Sequence, residues 1–330
     1  MRYLQYSSID LANGLGGVEV HARSLARELK LLGVEAALSS RPHDLAGNWD
    51  VIHTHGSAPL PLAFKRSHKR TILVHTLHGT TLGRMAACGE WLWPGGYLAS
   101  LRELWGVLRA DIVLAVHGDL WLFRLACVLG IISRKKAVVC WNGWDSDGVA
   151  GDLTADVESR LPAEPFWLFL GRGEDPMKGT YRIDALLNSC PKLKLVAAPG
   201  DGFTASAQIT LTGRLNSGQV HSLLKRARGL LIPSLYEGLP LVLLEALSEG
   251  TPVIATPAGG TPLLPKGLEG FFCFPNNRDV DLVPAVTAIE ANYPISESAR
   301  ELRAKHNRAL LPSWKNVAET VLKAVQEYRR

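Results

Sequence analysis

The chain has 330 residues, enough for two domains with a packed core in each. Hydrophobic residues make up 47% and charged residues 20%, which excludes global disorder. The net charge of +5 falls in the first part, where residues 1–145 carry 16 Lys and Arg against 11 Asp and Glu, while residues 146–330 carry 20 against 20.

In chain order, 2–7 reads as a strand, Asn13-Gly14-Leu15-Gly16-Gly17 as a turn, and 18–32 as a helix stopped by Gly33. Strands are expected at 51–55, 71–77, 111–116 and 137–140, with helical stretches such as 97–109 between them. Residues 145–163 lose the apolar runs, gain Asp and Gly, and read as a linker. A second set of strands is expected at 166–170, 193–197, 208–211, 229–232 and 252–255. Ser313 caps a closing helix with Trp314, Val317, Ala318, Val321, Leu322 and Val325 at helical spacing. This β-α-β rhythm predicts an α/β chain of two consecutive units, each a mostly parallel sheet covered on both faces.

Composition narrows the function. A surplus of five charges is thin for a nucleic-acid footprint. Five cysteines with no CxxC argue against a disulfide framework or a zinc site and fit a reducing compartment. The N-terminus has no signal-peptide core, and the apolar stretch 121–132 is too short to span a bilayer. A cytoplasmic location is expected, with peripheral contact at the inner face of a membrane as its extension.

Two stretches carry chemistry. In 233–260 a strand runs through a Gly-bearing turn into a helix whose free N–H groups and dipole suit a phosphate. Glu237 and Glu245 flank the helix start, roughly 12 Å apart at 1.5 Å per residue. That is too far for a glycosidase pair, and better suited to gripping an extended polyhydroxylated ligand. The alternative is a surface Glu at the edge of an apolar stripe. The second stretch, GRGEDPMKG, places Arg172 and Lys178 in a Gly-rich loop after a strand, an anion cradle or else a solvated basic turn.

The motifs in order resemble a retaining glycosyltransferase of family 4, with two Rossmann-like domains facing across a cleft (GT-B). They are Gly14-x-Gly16-Gly17-x-Glu19, Asp50-Val-Ile-His53-Thr-His55-Gly56, His78-Gly79-Thr80, Asp111 to Val116, Asn142-Gly143-Trp-Asp145, Gly171-Arg172 to Lys178-Gly179, Glu237-x7-Glu245, and Gly250-Thr-Pro-Val253 with Gly259-Gly260. The resemblance implies an acceptor-side domain over 1–148 joined by the returning helix 313–330, and a donor domain over 149–312. It implies that Arg172 and Lys178 bind the donor diphosphate and support the leaving group. Glu237 would contact sugar hydroxyls, Glu245 the ribose, and the amides of Leu239, Leu241 and Val242 the phosphates. Gly16 and Gly17 would approach the diphosphate, and His78 the transferred sugar. Gly171, Gly202, Arg214 and Gly238 complete the implied donor set. The implied reaction is metal-independent hexosyl transfer from a nucleoside-diphosphate sugar, with uridine the expected base, to a glycan or lipid-linked acceptor in cell-surface polysaccharide or glycolipid biosynthesis. A GT-B nucleotide-sugar epimerase and a non-catalytic sugar-nucleotide or glycan-binding protein are the alternatives.

Other features are read as secondary. Leu263 stands where the family often has an acid. Asp145-Ser146-Asp147 is a DxD, but Asp145 already belongs to the Asn-Gly match, so no metal is assigned there. His53, His55, His75 and His78 lack Asp, Glu or Cys at ligand spacing, so His78 is read as cleft lining and the rest as structural. His117 is read as a strand-end residue. In the Trp-rich stretch 84–109, Leu98, Leu101, Leu104, Trp105 and Leu108 are expected to form a core-facing stripe. The alternative is an acceptor or membrane surface next to the basic cluster 65–70.

Overall fold

A computed structural model describes residues 1–14, 16–57, 59–61, 64, 70–132, 137–145, 151–294 and 296–330. The chain divides into two compact units, Met1–Gly143 with Pro312–Arg330, and Trp144–Leu311. The division falls at Gly143, against an expected 148; residue 148 lies outside the described residues.

In the first unit, β1 (Arg2–Tyr6), β2 (Glu35–Ser39), β3 (Val51–His55), β4 (Ile72–Leu77), β5 (Ile112–Ala115) and β6 (Ala137–Val139) pair in parallel in the order β2-β1-β3-β4-β5-β6. Helices α1 (Gly17–Leu31), α2 (Thr81–Cys88), α3 (Pro94–Arg109) and α4 (Trp121–Val128) connect them. The closing helix Trp314–Arg329 is capped by Ser313, belongs to this unit and packs on α1. Leu4, Tyr6, Ile52 and Leu73 anchor one core cluster, as expected for strands covered on both faces.

In the second unit, α5 (Ala155–Arg160) precedes β7 (Phe166–Gly171), α6 (Tyr181–Ser189), β8 (Lys194–Pro199), β9 (Ile209–Leu211), α7 (Ser217–Arg226) and β10 (Gly229–Ile232). The unit continues with α8 (Leu241–Ser248), β11 (Val253–Ala255), β12 (Phe271–Cys273), α9 (Leu282–Asn292) and α10 (Glu297–Leu310). Its sheet runs β12-β11-β10-β7-β8-β9, all parallel. Trp167, Phe169, Leu195 and Leu231 from the sheet meet Ile183, Leu186 and Ile289 from the helices in one core.

Both sheets contain a point where the direction of chain progression reverses, between β1 and β3 in the first and between β7 and β10 in the second. Loops leaving adjacent strands diverge there, so open α/β sheets bind ligands at the carboxyl ends of those strands.

Three expectations change. Residues 155–160 are a helix capped by Thr154, not linker. Strands β2 and β12 were not expected. The stripe on α3 is not a core face: Leu98, Leu101 and Leu108 are exposed, and the buried positions are Gly96, Glu103, Gly106 and Val107. Glu103 can turn inward because its carboxylate accepts from Thr81 N and Thr81 Oγ1. Gly106 is required there because a Cβ would lie 2.4 Å from the His75 ring.

Candidate active site

In the second unit, the loops after β7 and β10 meet. Asp175 accepts from Met177 N and starts a single 3₁₀ turn that ends on Lys178. Met177 O then accepts from Leu235 N at 2.7 Å, and Arg182 Nη1 donates to Pro233 O at 2.7 Å. Gly179 makes this closeness possible: its φ is +63°, and a Cβ would lie 2.2 Å from Pro233 O.

This stitching brings Lys178 Nζ to 2.7 Å from Glu237 Oε1, which also accepts from Ser234 Oγ at 2.7 Å. Glu237 is buried, and an ammonium and a hydroxyl face its carboxylate. Helix α8 begins four residues on behind Pro240, with no side-chain cap. The first-turn amides, including those of Leu241 and Val242, therefore have no side-chain acceptor from the cap and suit an anion. Gly259 and Gly260 press on the same loop: Gly260 N donates to Gly238 O at 2.6 Å, and a Cβ on Gly259 would lie 2.2 Å from the carbonyls of Glu237 and Gly238.

The other expected donor residues gather less tightly. Gly202, at φ +83°, packs against the backbone of Gly173, which places its turn beside the Arg172 loop. Arg172 itself is exposed and reaches Asp175 at 3.3 Å, not Lys178. Gly171 ends β7, Leu239 is buried, and Arg214 lies exposed in the loop after β9. Leu263 lies half-exposed on a short 3₁₀ turn.

Glu245 belongs to a separate polar cluster. Burial pushes its carboxyl above the usual range; His221 opposes this, and the charges of Asp145 and Glu249 add to it. His221 Nδ1–H donates to Glu249 Oε1 at 3.1 Å, with Lys225 and Arg308 each 3.6 Å from the same carboxylate. Burial pulls the His221 imidazole down, but Glu249, Glu245 and Asp145 outweigh it and leave it above its usual value. Burial also raises Glu249, yet His221, Lys225 and Arg308 hold it below its usual value.

In the first unit, Gly16 caps α1 and Gly17 begins it, leaving a helix start at the end of the β1 loop. Glu19 folds back over that loop, so a Cβ on Gly16 would lie 2.5 Å from Glu19 Oε2. His78 follows β4 and is half-buried, with Nε2 3.1 Å from His55 Nδ1. Around it lie buried His21, His53 and His55. His53 is held by Tyr3 Oη at 2.8 Å and Thr76 Oγ1 at 2.6 Å, as its structural reading requires. His117 is buried with neither ring nitrogen hydrogen-bonded, which a simple strand-end role does not explain.

Reading the residues in order misses Ser234, the His221–Glu249 pair and His21. Ser234 sits three residues before Glu237, a spacing that could have marked it. His21 lies one helical turn beyond Gly17 and carries no local signal of the strand histidines it meets. Ser146, Asp147 and the basic stretch 65–69 lie outside the described residues.

The chain is similar to known glycosyltransferases. The family described as Glycosyl transferases group 1 matches residues 202–307, which span α7, β10, α8 and the strands beside them. An uncharacterized glycosyltransferase of Methanocaldococcus jannaschii is 25% identical over 91% of this chain and 78% of its own length. Sucrose-phosphate synthase from Thermosynechococcus elongatus superposes with a TM-score of 0.72 at 18% identity, covering 99% of this chain and 98% of that one. Anabaena HepE, solved in complex with UDP and glucose, superposes with a TM-score of 0.64 at 15% identity over 99% of each chain. Residues 202–307, within the second unit, match the group 1 glycosyl transferases, and the chain has the GT-B fold of the glycosyltransferase structures it superposes on.

Proposed function

We propose that the chain is a retaining, metal-independent hexosyltransferase of family 4. It moves a sugar from a nucleoside-diphosphate sugar to a glycan or lipid-linked acceptor in cell-surface polysaccharide or glycolipid biosynthesis. The observation that carries this reading is the Lys178–Glu237–Ser234 arrangement on the loop leading into the uncapped start of α8. Lys178, Arg172 and the α8 amides, with those of Leu239, Leu241 and Val242 named for the phosphates, supply positive charge for a departing diphosphate. Stabilising that charge is the main catalytic task when no protein nucleophile is used. Glu237 contacts sugar hydroxyls and Glu245 the ribose. A carboxyl raised by burial gains most from hydroxyl partners, which replace the water it lacks. Gly16, Gly17 and His78 come from the first unit, which also takes the acceptor. The UDP and glucose in the Anabaena HepE structure favour a uridine donor.

A thermal-shift panel of nucleotide sugars tests the donor. UDP-sugars at 100 times their dissociation constant add about 2.7 kcal/mol to stability. No shift with any nucleotide sugar, or a product of inverted anomeric configuration by NMR, defeats the reading.

A membrane-linked acceptor is favoured by one observation. Trp91, Leu92, Leu98, Leu101 and Leu108 are exposed on and before α3, with Leu92 96% exposed, in the unit that carries the positive surplus. Apolar side chains beside cations suit an anionic interface. Sedimentation with anionic vesicles at low salt is expected to pull down the wild type, and Leu98→Asp with Leu101→Asp to abolish this. Equal sedimentation of both proteins rules the surface out. No helix among the described residues is long and apolar enough to cross a membrane.

A further inference from the structure

From the first unit we infer a binding site for a divalent transition-metal ion, formed by His21, His55 and His78, beyond the transfer reaction proposed above. One ring nitrogen of each lies within 4.8 Å of those of the other two. The residues come from three elements: His21 from α1, His55 from the last position of β3, and His78 from the loop after β4.

The hydrogen bonds around the cluster decide which nitrogens face inward. Gln5 Nε2 donates to Ala22 O at 2.8 Å, which leaves Gln5 Oε1 to accept from His55 Nε2–H at 3.1 Å. His55 Nδ1 is then a lone-pair nitrogen. His21 Nδ1–H donates to Asn142 Oδ1 at 2.9 Å, so its Nε2 carries the other lone pair. That Nε2 has no hydrogen-bond partner, although the residue is only 2% exposed. A buried acceptor left unmatched is costly, and a metal ion would satisfy it. His78 Nε2 lies 3.1 Å from His55 Nδ1, close to the separation of about 3.3 Å for two nitrogens at 2.0–2.1 Å on a tetrahedral ion. In the metal-free state the hydrogen between them comes from His78 Nε2. On binding, that proton moves to His78 Nδ1, so the ring changes tautomer and no proton is released.

The site has the surroundings a metal ligand set needs. Gln5 and Asn142 orient two of the rings from behind, as outer-shell carbonyl groups do in known sites. Burial holds His21 at about 4 and His55 and His78 well below their usual values, so all three are neutral and able to ligate. His53 does not compete, because both its nitrogens are hydrogen-bonded, and His75 is not among the three rings whose nitrogens lie within reach of one another. Three imidazoles and no carboxylate select Zn²⁺, Co²⁺, Ni²⁺ or Cu²⁺ over Mg²⁺ or Ca²⁺. Half-buried His78 gives access, and the fourth position falls to water. Metal on His78 removes that ring from a sugar hydroxyl, so bound Zn²⁺ inhibits transfer.

The test titrates chelator-stripped protein with Co²⁺, read by its visible tetrahedral bands, and with Zn²⁺ in competition with a chromophoric chelator. One equivalent is expected to bind. His21→Asn and, separately, His78→Gln should each abolish the bands, and Gln5→Ala should weaken Zn²⁺ by about 10–100-fold. His306→Ala, exposed and outside the cluster, should bind as wild type does. Circular dichroism of each variant confirms folding. Absence of Co²⁺ bands in the wild type, or bands unchanged in His21→Asn or His78→Gln, overturns the site. Binding is read without turnover, so it stands or falls apart from the transferase reading.

Discussion

Lys178 and Glu237 in the second unit, and His55 and His78 in the first, sit at or just beyond the carboxyl ends of parallel strands beside a break in strand order, with opposite chemistry. The second unit keeps charges. Buried Glu237 faces Lys178, and buried Glu249 faces His221, Lys225 and Arg308. The first unit keeps neutral rings: His21, His53, His55, His75 and His78 are all lowered, chiefly by burial, with no carboxylate opposing it. Burial alone does not decide whether a group is charged; the partner within reach does. The difference matches the division of labour proposed, a diphosphate on one unit and uncharged hydroxyls on the other.

The largest test of that comparison is Lys178→Ala. If the second unit works through charge, kcat should fall about 100–1000-fold, the usual cost of losing one donor to a developing anion. Initial rates with a saturating nucleotide sugar measure it. A kcat within a few-fold of wild type would mean that the ion pair only holds Glu237 in place.

The second unit was the more legible of the two in the sequence. Its strands β7 and β10 are unbroken apolar runs, and its glycines stand where backbones touch, as Gly179 does against Pro233 O. Spacing alone therefore pointed to Arg172, Lys178, Glu237 and Glu245. It did not pair Lys178 with Glu237, since 59 residues separate them and only the meeting of two loops joins them. In the first unit, β2 reads Glu35-Ala-Ala-Leu-Ser39, too short and too helix-prone to register as a strand. The α3 stripe misled because periodicity finds an apolar face without saying what covers it. Glu103 and Gly106 face inward for reasons that lie in Thr81 and His75, beyond any local window. His21 was invisible for the same reason: its meaning depends on β3 and β4.

A smaller and more discriminating test is the dependence of stability on pH, because the two kinds of histidine should respond with opposite sign. His75, lowered to about 4 by burial, binds no proton in the folded chain near pH 5, whereas the unfolded chain does below about 6.5. Its contribution is present above the unfolded value and lost on acidification, by roughly 3 kcal/mol in all at about 1.4 per unit. His221 is raised, so its contribution is complete below the unfolded value and lost as pH rises through the folded one. Glu245, also raised, loses in the same direction at a lower pH, while lowered Glu249 loses as pH falls through its folded value. Urea midpoints across pH 4–8 separate these effects. His75→Gln should flatten the acid side of the profile. His221→Asn should remove about 2 kcal/mol near pH 6, the worth of a hydrogen bond to a charged group, and flatten the alkaline side instead. If both variants changed the same limb, the charged and neutral clusters would not differ in the way their partners imply, and the contrast between the two units would lose its electrostatic basis.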